Sequence, residues 1–351
     1  MRSRLFKLAF ALSLLGLIAC ERDAPPPAHA PQTATEGAES ESESRPHGTL
    51  PPTARIAEGR GPALYLGADV GSQGFGYLSP GVMVELAGEL EASRILARVR
   101  GQMRVRGYIP IHRLELLALT RGRIRDTPVY LGAGDAVRLI GYGEEAGRVR
   151  VAATPTIVSR EGANVNVPRY EGSFPAAALG GEAPIEGGGL PGRPVLIRAD
   201  HALPIFDETG KERLLTLPPN HHFEAYEVRR DGDRVAVLLS SGPYLAGYLH
   251  HGEIIPDAEP RGEKSANTAS ARPETIPERI RRDESSWPLR RVRAGTRVFF
   301  DGVTIASVDA PAHAREMARY EETGEVDVFV AVDDDVAIRG MVPIDAVEDA
   351  P

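Results

Sequence analysis

One hairpin pattern, written several times, limits this chain more than any other feature. Residues 137–151 (VRLIGYGEEAGRVRV), 223–237 (FEAYEVRRDGDRVAV) and 317–332 (MARYEETGEVDVFVAV) each alternate apolar and polar residues, turn at a glycine, and alternate again. Period two on both sides of a short turn predicts a β-hairpin with one buried and one wet face. Gly 37 and Pro 29 in 351 residues point to many turns and against long helices.

A third strand follows each hairpin. Residues 106–116 (RGYIPIHRLEL) are echoed at 339–349 (RGMVPIDAVED), and the step from Val237 to Gly247 equals that from Val330 to Gly340. The glycine is expected to kink or bulge the strand, and the proline to end its ladder. A final apolar residue (Leu114, Ile254 or Val347) would plug a small barrel. Residues 170–179 (YEGSFPAAAL) repeat the pattern more loosely, after an insertion at 155–168. Residues 312–322 read as either a short helix or a strand.

These blocks resemble the bacterial SH3-like (SH3b) domain, a five-stranded barrel ending in a Gly-Tyr-apolar-Pro-like strand and one turn of 3₁₀ helix. Residues 78–84 (LSPGVMV) match the family's turn. Residues 203–207 (LPIFD), 208–210 (ETG) and 217–220 (LPPN) are similar to its first strand, loop and turn. The fourth block carries Met341 where the family has an aromatic residue, and the second lacks the tight spacing. The expected fold class is all-β: tandem small SH3-like barrels joined by flexible linkers, after a disordered N-terminal tether. The expected modules are 56–120, 121–180 (divergent), 181–256 and 287–351 (divergent). Units of roughly sixty residues without disulfides are marginal alone, so neighbours are expected to dock. Two larger β-sandwiches are the rival all-β architecture.

The N-terminus reads as an address. Arg2, Arg4 and Lys7 precede an apolar run of about a dozen residues, short of the roughly 20 that span a membrane. The run ends Leu17-Ile18-Ala19-Cys20, and Cys20 is the single cysteine. This resembles a bacterial lipoprotein signal, which implies cleavage after residue 19 and a lipid anchor (palmitate among its acyl chains) on Cys20, held by several acyl chains. Glu21 stands where an aspartate retains such proteins in the inner membrane, so the outer membrane is preferred, with the body in the periplasm or at the surface. Residues 1–19 hold three of the 41 Lys and Arg and none of the 49 Asp and Glu, so the chain from Cys20 on carries −11 rather than −8. Such a body argues against nucleic acid as a partner. Residues 20–55 and 257–286, rich in Pro, Ser and Glu, are expected to be a disordered tether and linker. Residues 180–192 are a shorter segment of that kind.

No catalytic pattern emerges. His221-His222 and His250-His251 are adjacent pairs, which a strand points to opposite faces, so no metal is expected. Asp333-Asp334-Asp335 reads as a hairpin turn rather than a calcium loop. Residues 71–76 (GSQGFG) lack the Lys-Ser/Thr of a phosphate loop and read as a flexible loop. Arg290, Arg291 and Arg293 beside Trp287 form a basic-aromatic spot, read as a solvated strand edge. No cofactor is expected. The residues proposed for a ligand groove are Tyr108, Tyr226, Tyr244 and Tyr248, because SH3-like barrels bind extended peptides through exposed aromatics; barrel packing is the alternative role for each. The function expected is a non-enzymatic envelope lipoprotein binding a protein or peptidoglycan. The alternatives are an assembly subunit without a discrete ligand, or a hydrolase with an unrecognised site.

Overall fold

The structure, a computed structural model, describes residues 49–59, 61–184, 192–239, 242–256, 286–332 and 335–350, all within one compact unit, 45–351. The leader at 1–19, Cys20, most of the 20–55 tether, most of the 257–286 linker, the centre of 180–192, and Asp333 and Asp334 lie outside the described residues.

The described residues are all-β and build one strand order four times. An opening strand (Thr53–Ile56, Leu114–Ala118, Arg193–Ala199, Leu289–Val292) leads into a long loop. That loop carries two short strands: Leu64–Tyr65 and Gly74–Leu78, Gly122–Arg123 and Val129–Leu131, Leu203–Phe206 and Arg213–Leu217, Arg297–Phe300 and Val303–Val308. A three-stranded meander follows: Met83–Glu91, Arg94–Val99 and Met103–Pro110 in the first copy, Ala136–Tyr142, Arg148–Ala153 and Tyr170–Pro175 in the second. In the third copy it is His221–Asp231, Arg234–Leu239 and Tyr244–His250, and in the fourth Ala312–Tyr320, Glu325–Val332 and Val336–Pro343. One 3₁₀ turn (Ile111–Arg113, Ala176–Ala178, His251–Glu253, Ile344–Ala346) then leads to a closing strand that pairs with the opening one. Ala312–Tyr320 is strand, which settles the helix-or-strand question at 312–322.

The repeated glycine has one physical cause. Gly107, Gly172, Gly247 and Gly340 sit where the first loop strand crosses the last meander strand, beside the register pairs Tyr65–Tyr108, Arg125–Ser173, Phe206–Tyr248 and Phe299–Met341. A Cβ there would meet Leu64, Ile124, Ile205 or Val298 respectively. The expected kink is absent: the ladders run in register through Gly107, Gly247 and Gly340. The register shifts lie instead in the first meander strand, between Leu86 and Leu90, Leu139 and Gly141, Glu227 and Arg229, and Glu316 and Ala318, and in the first loop strand that crosses the glycine, between Leu64 and Tyr65, Ile205 and Phe206, and Val298 and Phe299. These glycines thus serve close approach, not backbone freedom.

Of the expected plugs, Leu114 is fully buried, whereas Ile254 and Val347 are half-buried. Gly74–Leu78 is strand, so half of the glycine-rich stretch at 71–76 is ladder rather than loop. Leu289–Val292 pairs on both sides, so the basic spot is not a sheet edge; Arg290 and Arg293 are engaged by Glu316, Asp349 and Glu348, while Arg291 is exposed.

The boundary expected at 120/121 falls just after a strand that belongs to both neighbours. Leu114–Ala118 closes the first barrel through Arg55–Glu115 and Ile56–Leu114. It also opens the second through Leu116–Val137 and Leu117–Ala136. Other barrels join by strand pairing. Gly74–Leu78 of the first pairs with Val336–Pro343 of the fourth, and Val303–Val308 of the fourth pairs with Met103–Pro110 of the first. Each exchange uses a loop strand of one barrel on the last meander strand of the other, which removes edges that would otherwise template aggregation. The second and third barrels repeat half of it, Val129–Leu131 on Tyr244–His250. The other half is replaced by the 155–168 insertion, whose hairpin Ile157–Val158 with Asn164–Val165 packs on the third barrel. There Ile157 and Val167 join that barrel's core, and Glu161 accepts bonds from the His222 backbone N–H and imidazole. Those bonds hold the Glu161 carboxyl well below the usual range.

Candidate functional site

The pairing of Val129–Leu131 with Tyr244–His250 extends the outer face of the third barrel into the second. Along Tyr244–His250, Leu245, Gly247 and Leu249 point into the core, so Tyr244, Ala246 and Tyr248 face outward. A groove of about 680 Å³ lies on this face. Its floor includes Ala236, Leu238, Ala246 and Tyr248, and Tyr130 and Tyr170 arrive from the second barrel. Val228, 43% exposed, adds an apolar rim.

The walls are acidic. Asp126, Asp207, Glu208 and Glu212 line the groove against a single cation, Arg123, which bonds Glu208 at 2.9 Å and the Thr127 carbonyl at 2.7 Å. Asp207 organises its loop by accepting bonds from the Thr209 hydroxyl and the Lys211 and Glu212 backbone N–H groups. The Thr209 bond comes first among the causes that lower its pKa, so this wall stays ionised. Burial, then the nearby Glu212 charge, raises the Tyr170 pKa, so its hydroxyl remains a donor. Aromatic floor and anionic wall together suit an extended ligand bearing a cationic side chain.

The four tyrosines proposed from sequence separate. Tyr248 lines the groove. Tyr226 and Tyr244 form an edge-to-face pair, centroids 6.2 Å apart at 86°, and Tyr244 stands in register with Tyr130. Tyr108 occupies the place equivalent to Tyr248 in the first barrel, opposite Tyr65, whose ring lies 4.0 Å beneath the Arg94 guanidinium. Tyr130, Tyr170 and the acidic wall were missed. Their alternation marks Tyr130 as outward-facing, but nothing local tells which barrel it meets. The histidine pairs depart from the opposite-face expectation: His221 and His222 both reach the Glu161 carboxylate, and His250 and His251 are exposed, with His251 already in the 3₁₀ turn. Among the described residues, no cluster of three or more His, Cys, Asp or Glu is placed to hold a metal ion, and no helix is long and apolar enough to cross a membrane. Comparison with family models, curated proteins and solved structures finds no match for this chain.

Asp135 sits at the same junction. Its carboxylate accepts the Gly132 N–H at 2.6 Å, and Gly242 of the third barrel packs against it. Burial pushes its pKa up to about 6. A raised carboxyl pKa means the folded chain holds the proton more tightly. The stability is therefore full below the unfolded value of about 3.9 and is lost as pH rises through about 6. Asp135→Asn should leave stability at pH 4 nearly unchanged. At pH 8 it should add about 1–2 kcal/mol, discounted because the group is partly solvated. Urea unfolding of both proteins at the two pH values measures this, and parallel pH curves would contradict it.

Proposed function

We propose that this protein is a lipid-anchored, non-enzymatic lipoprotein of the bacterial cell envelope whose four barrels are SH3-like modules, and that the groove between the second and third binds an extended envelope peptide carrying a positive charge. The partner is either a protein segment or the peptide portion of peptidoglycan. The observation that supports this reading is one groove lined by Tyr130, Tyr170 and Tyr248 together with the carboxylates of Asp207, Glu208 and Glu212. The lipid on Cys20 would confine the body near a membrane, raising the local concentration of envelope partners.

Full-length wild type and Tyr248→Ala, compared for retention on purified sacculi and for photo-crosslinking in cells from a probe at Val228, test the reading. Tyr248→Ala should lose about tenfold in whichever assay reports binding, in line with a 1–3 kcal/mol aromatic contact. No retention above a denatured control together with no discrete crosslink would reject the groove as a binding site. The second reading, an assembly subunit without a discrete ligand, draws support from the shared strand and the reciprocal strand exchange. It expects one stoichiometric crosslinked partner that Tyr248→Ala leaves intact.

A further inference from the structure

Between Glu91 and Glu115 the chain has six arginines and no carboxylate, although Asp and Glu total 49 overall. Four of the six, Arg98, Arg100, Arg104 and Arg106, are exposed on the outer face of one hairpin, Arg94–Val99 with Met103–Pro110. Arg98 and Arg106 are directly opposite each other in the ladder. Like charges so placed destabilise a sheet. Arg100 is met by Glu85 at 3.0 Å and Arg104 by Asp309 at 2.8 Å. Among the described residues, neither Arg98 nor Arg106 has a carboxylate within ion-pair distance. The four line a depression of about 480 Å³.

The fold does not call for this charge. Aligning the barrels on Gly107 and Gly247 places Arg98 where the third barrel has Leu238, Arg106 where it has Ala246, and Arg104 where it has Tyr244. The neighbouring strand is equivalent too: Val303–Val308 flanks this hairpin as Val129–Leu131 flanks Tyr244–His250. The same structural position thus carries an aromatic, acid-walled groove in one pair of barrels and an arginine-lined one in the other. In the fourth barrel it is closed, by Arg339 bonded to Asp327 at 2.8 Å and by the Tyr77–Phe329 ring pair.

We infer that the hairpin of Arg98, Arg100, Arg104 and Arg106 is a binding site for phosphate groups. Side chains across a ladder are separated by about 5 Å and those two residues apart on a strand by about 7 Å, so the array offers one guanidinium pair, Arg98 and Arg106, flanked by Arg100 and Arg104, which each hold a carboxylate. Guanidinium forks match phosphate oxygens bidentately, and a bound dianion removes the Arg98–Arg106 repulsion. Free polyphosphate and a phospholipid headgroup share this chemistry.

Isothermal titration of the detergent-solubilised full-length protein separates the sources, with inorganic tripolyphosphate in one arm and short-chain phosphatidylglycerol against phosphatidylcholine in the other. Arg98→Gln/Arg106→Gln should weaken binding at least tenfold in whichever arm shows it, without lowering the melting temperature, since it removes a repulsion. Arg198→Gln/Arg229→Gln takes the same charge from elsewhere on the surface and should leave binding unchanged. The inference is overturned if wild type binds neither probe, if the hairpin variant binds like wild type, or if the two variants lose affinity equally.

Discussion

Gly340→Ala should destabilise the protein by about 3 kcal/mol, at the upper end of what overpacking costs. The new Cβ would lie 2.5 Å from Val298 Cγ1 and 2.6 Å from the Phe299 carbonyl oxygen. A methyl group could rotate aside; a carbonyl fixed in the Arg297–Phe300 strand cannot. The strand crossing would have to widen, and with it the fourth barrel. Gly101→Ala is the matched control: nothing lies within 4 Å of its added Cβ, and its φ is not in the left-handed region, so the change should stay within about 0.5 kcal/mol. Urea midpoints for the two variants decide the matter. Equal midpoints would mean that the crossing is looser than its geometry implies.

Leu116→Ala should be a severely damaging core truncation, because Leu116 is fully buried on the strand that two barrels share. A cost of about 3–5 kcal/mol is expected from the lost contacts and the residual cavity. The distribution of that cost is the sharper test. Hydrogen exchange should accelerate together in Arg94–Val99 of the first barrel and Arg148–Ala153 of the second, as in one cooperative unit. Acceleration confined to the second barrel would show that the shared strand does not couple them.

Much of each barrel was legible in the chain. Strand type followed from alternation, hairpin turns from Gly147 and Gly232, both with positive φ, and the third strand from its glycine. The reason for that glycine was not legible, because a bulge and a close crossing ask for the same residue, and only the neighbour across the gap tells them apart. The second barrel read as divergent because its insertion stretched the spacing, yet its strand order is the same as the others. The site was half legible. Tyr248 could be named as an outward aromatic on a last strand, while Tyr130, Tyr170 and Asp207 needed knowledge of which barrel lies beside which. Tyr108, its local equivalent, was indistinguishable from Tyr248 by pattern, and the two ended in different surroundings.

The amino-acid sequence by itself determined the local content of this protein: short amphipathic strands, their turns, four barrel-sized units, and the glycines that let strands cross. Side-chain periodicity carries that information because burial of one face is a local requirement. Tertiary structure alone decided that one strand serves two barrels, that loop strands of the first and fourth each pair with the other's last meander strand, and that an acidic aromatic groove and an arginine-lined one occupy equivalent places. Those outcomes rest on edge-to-edge pairing through backbone N–H and C=O groups, which every residue but proline presents alike, so no side-chain pattern announces which edge will meet which.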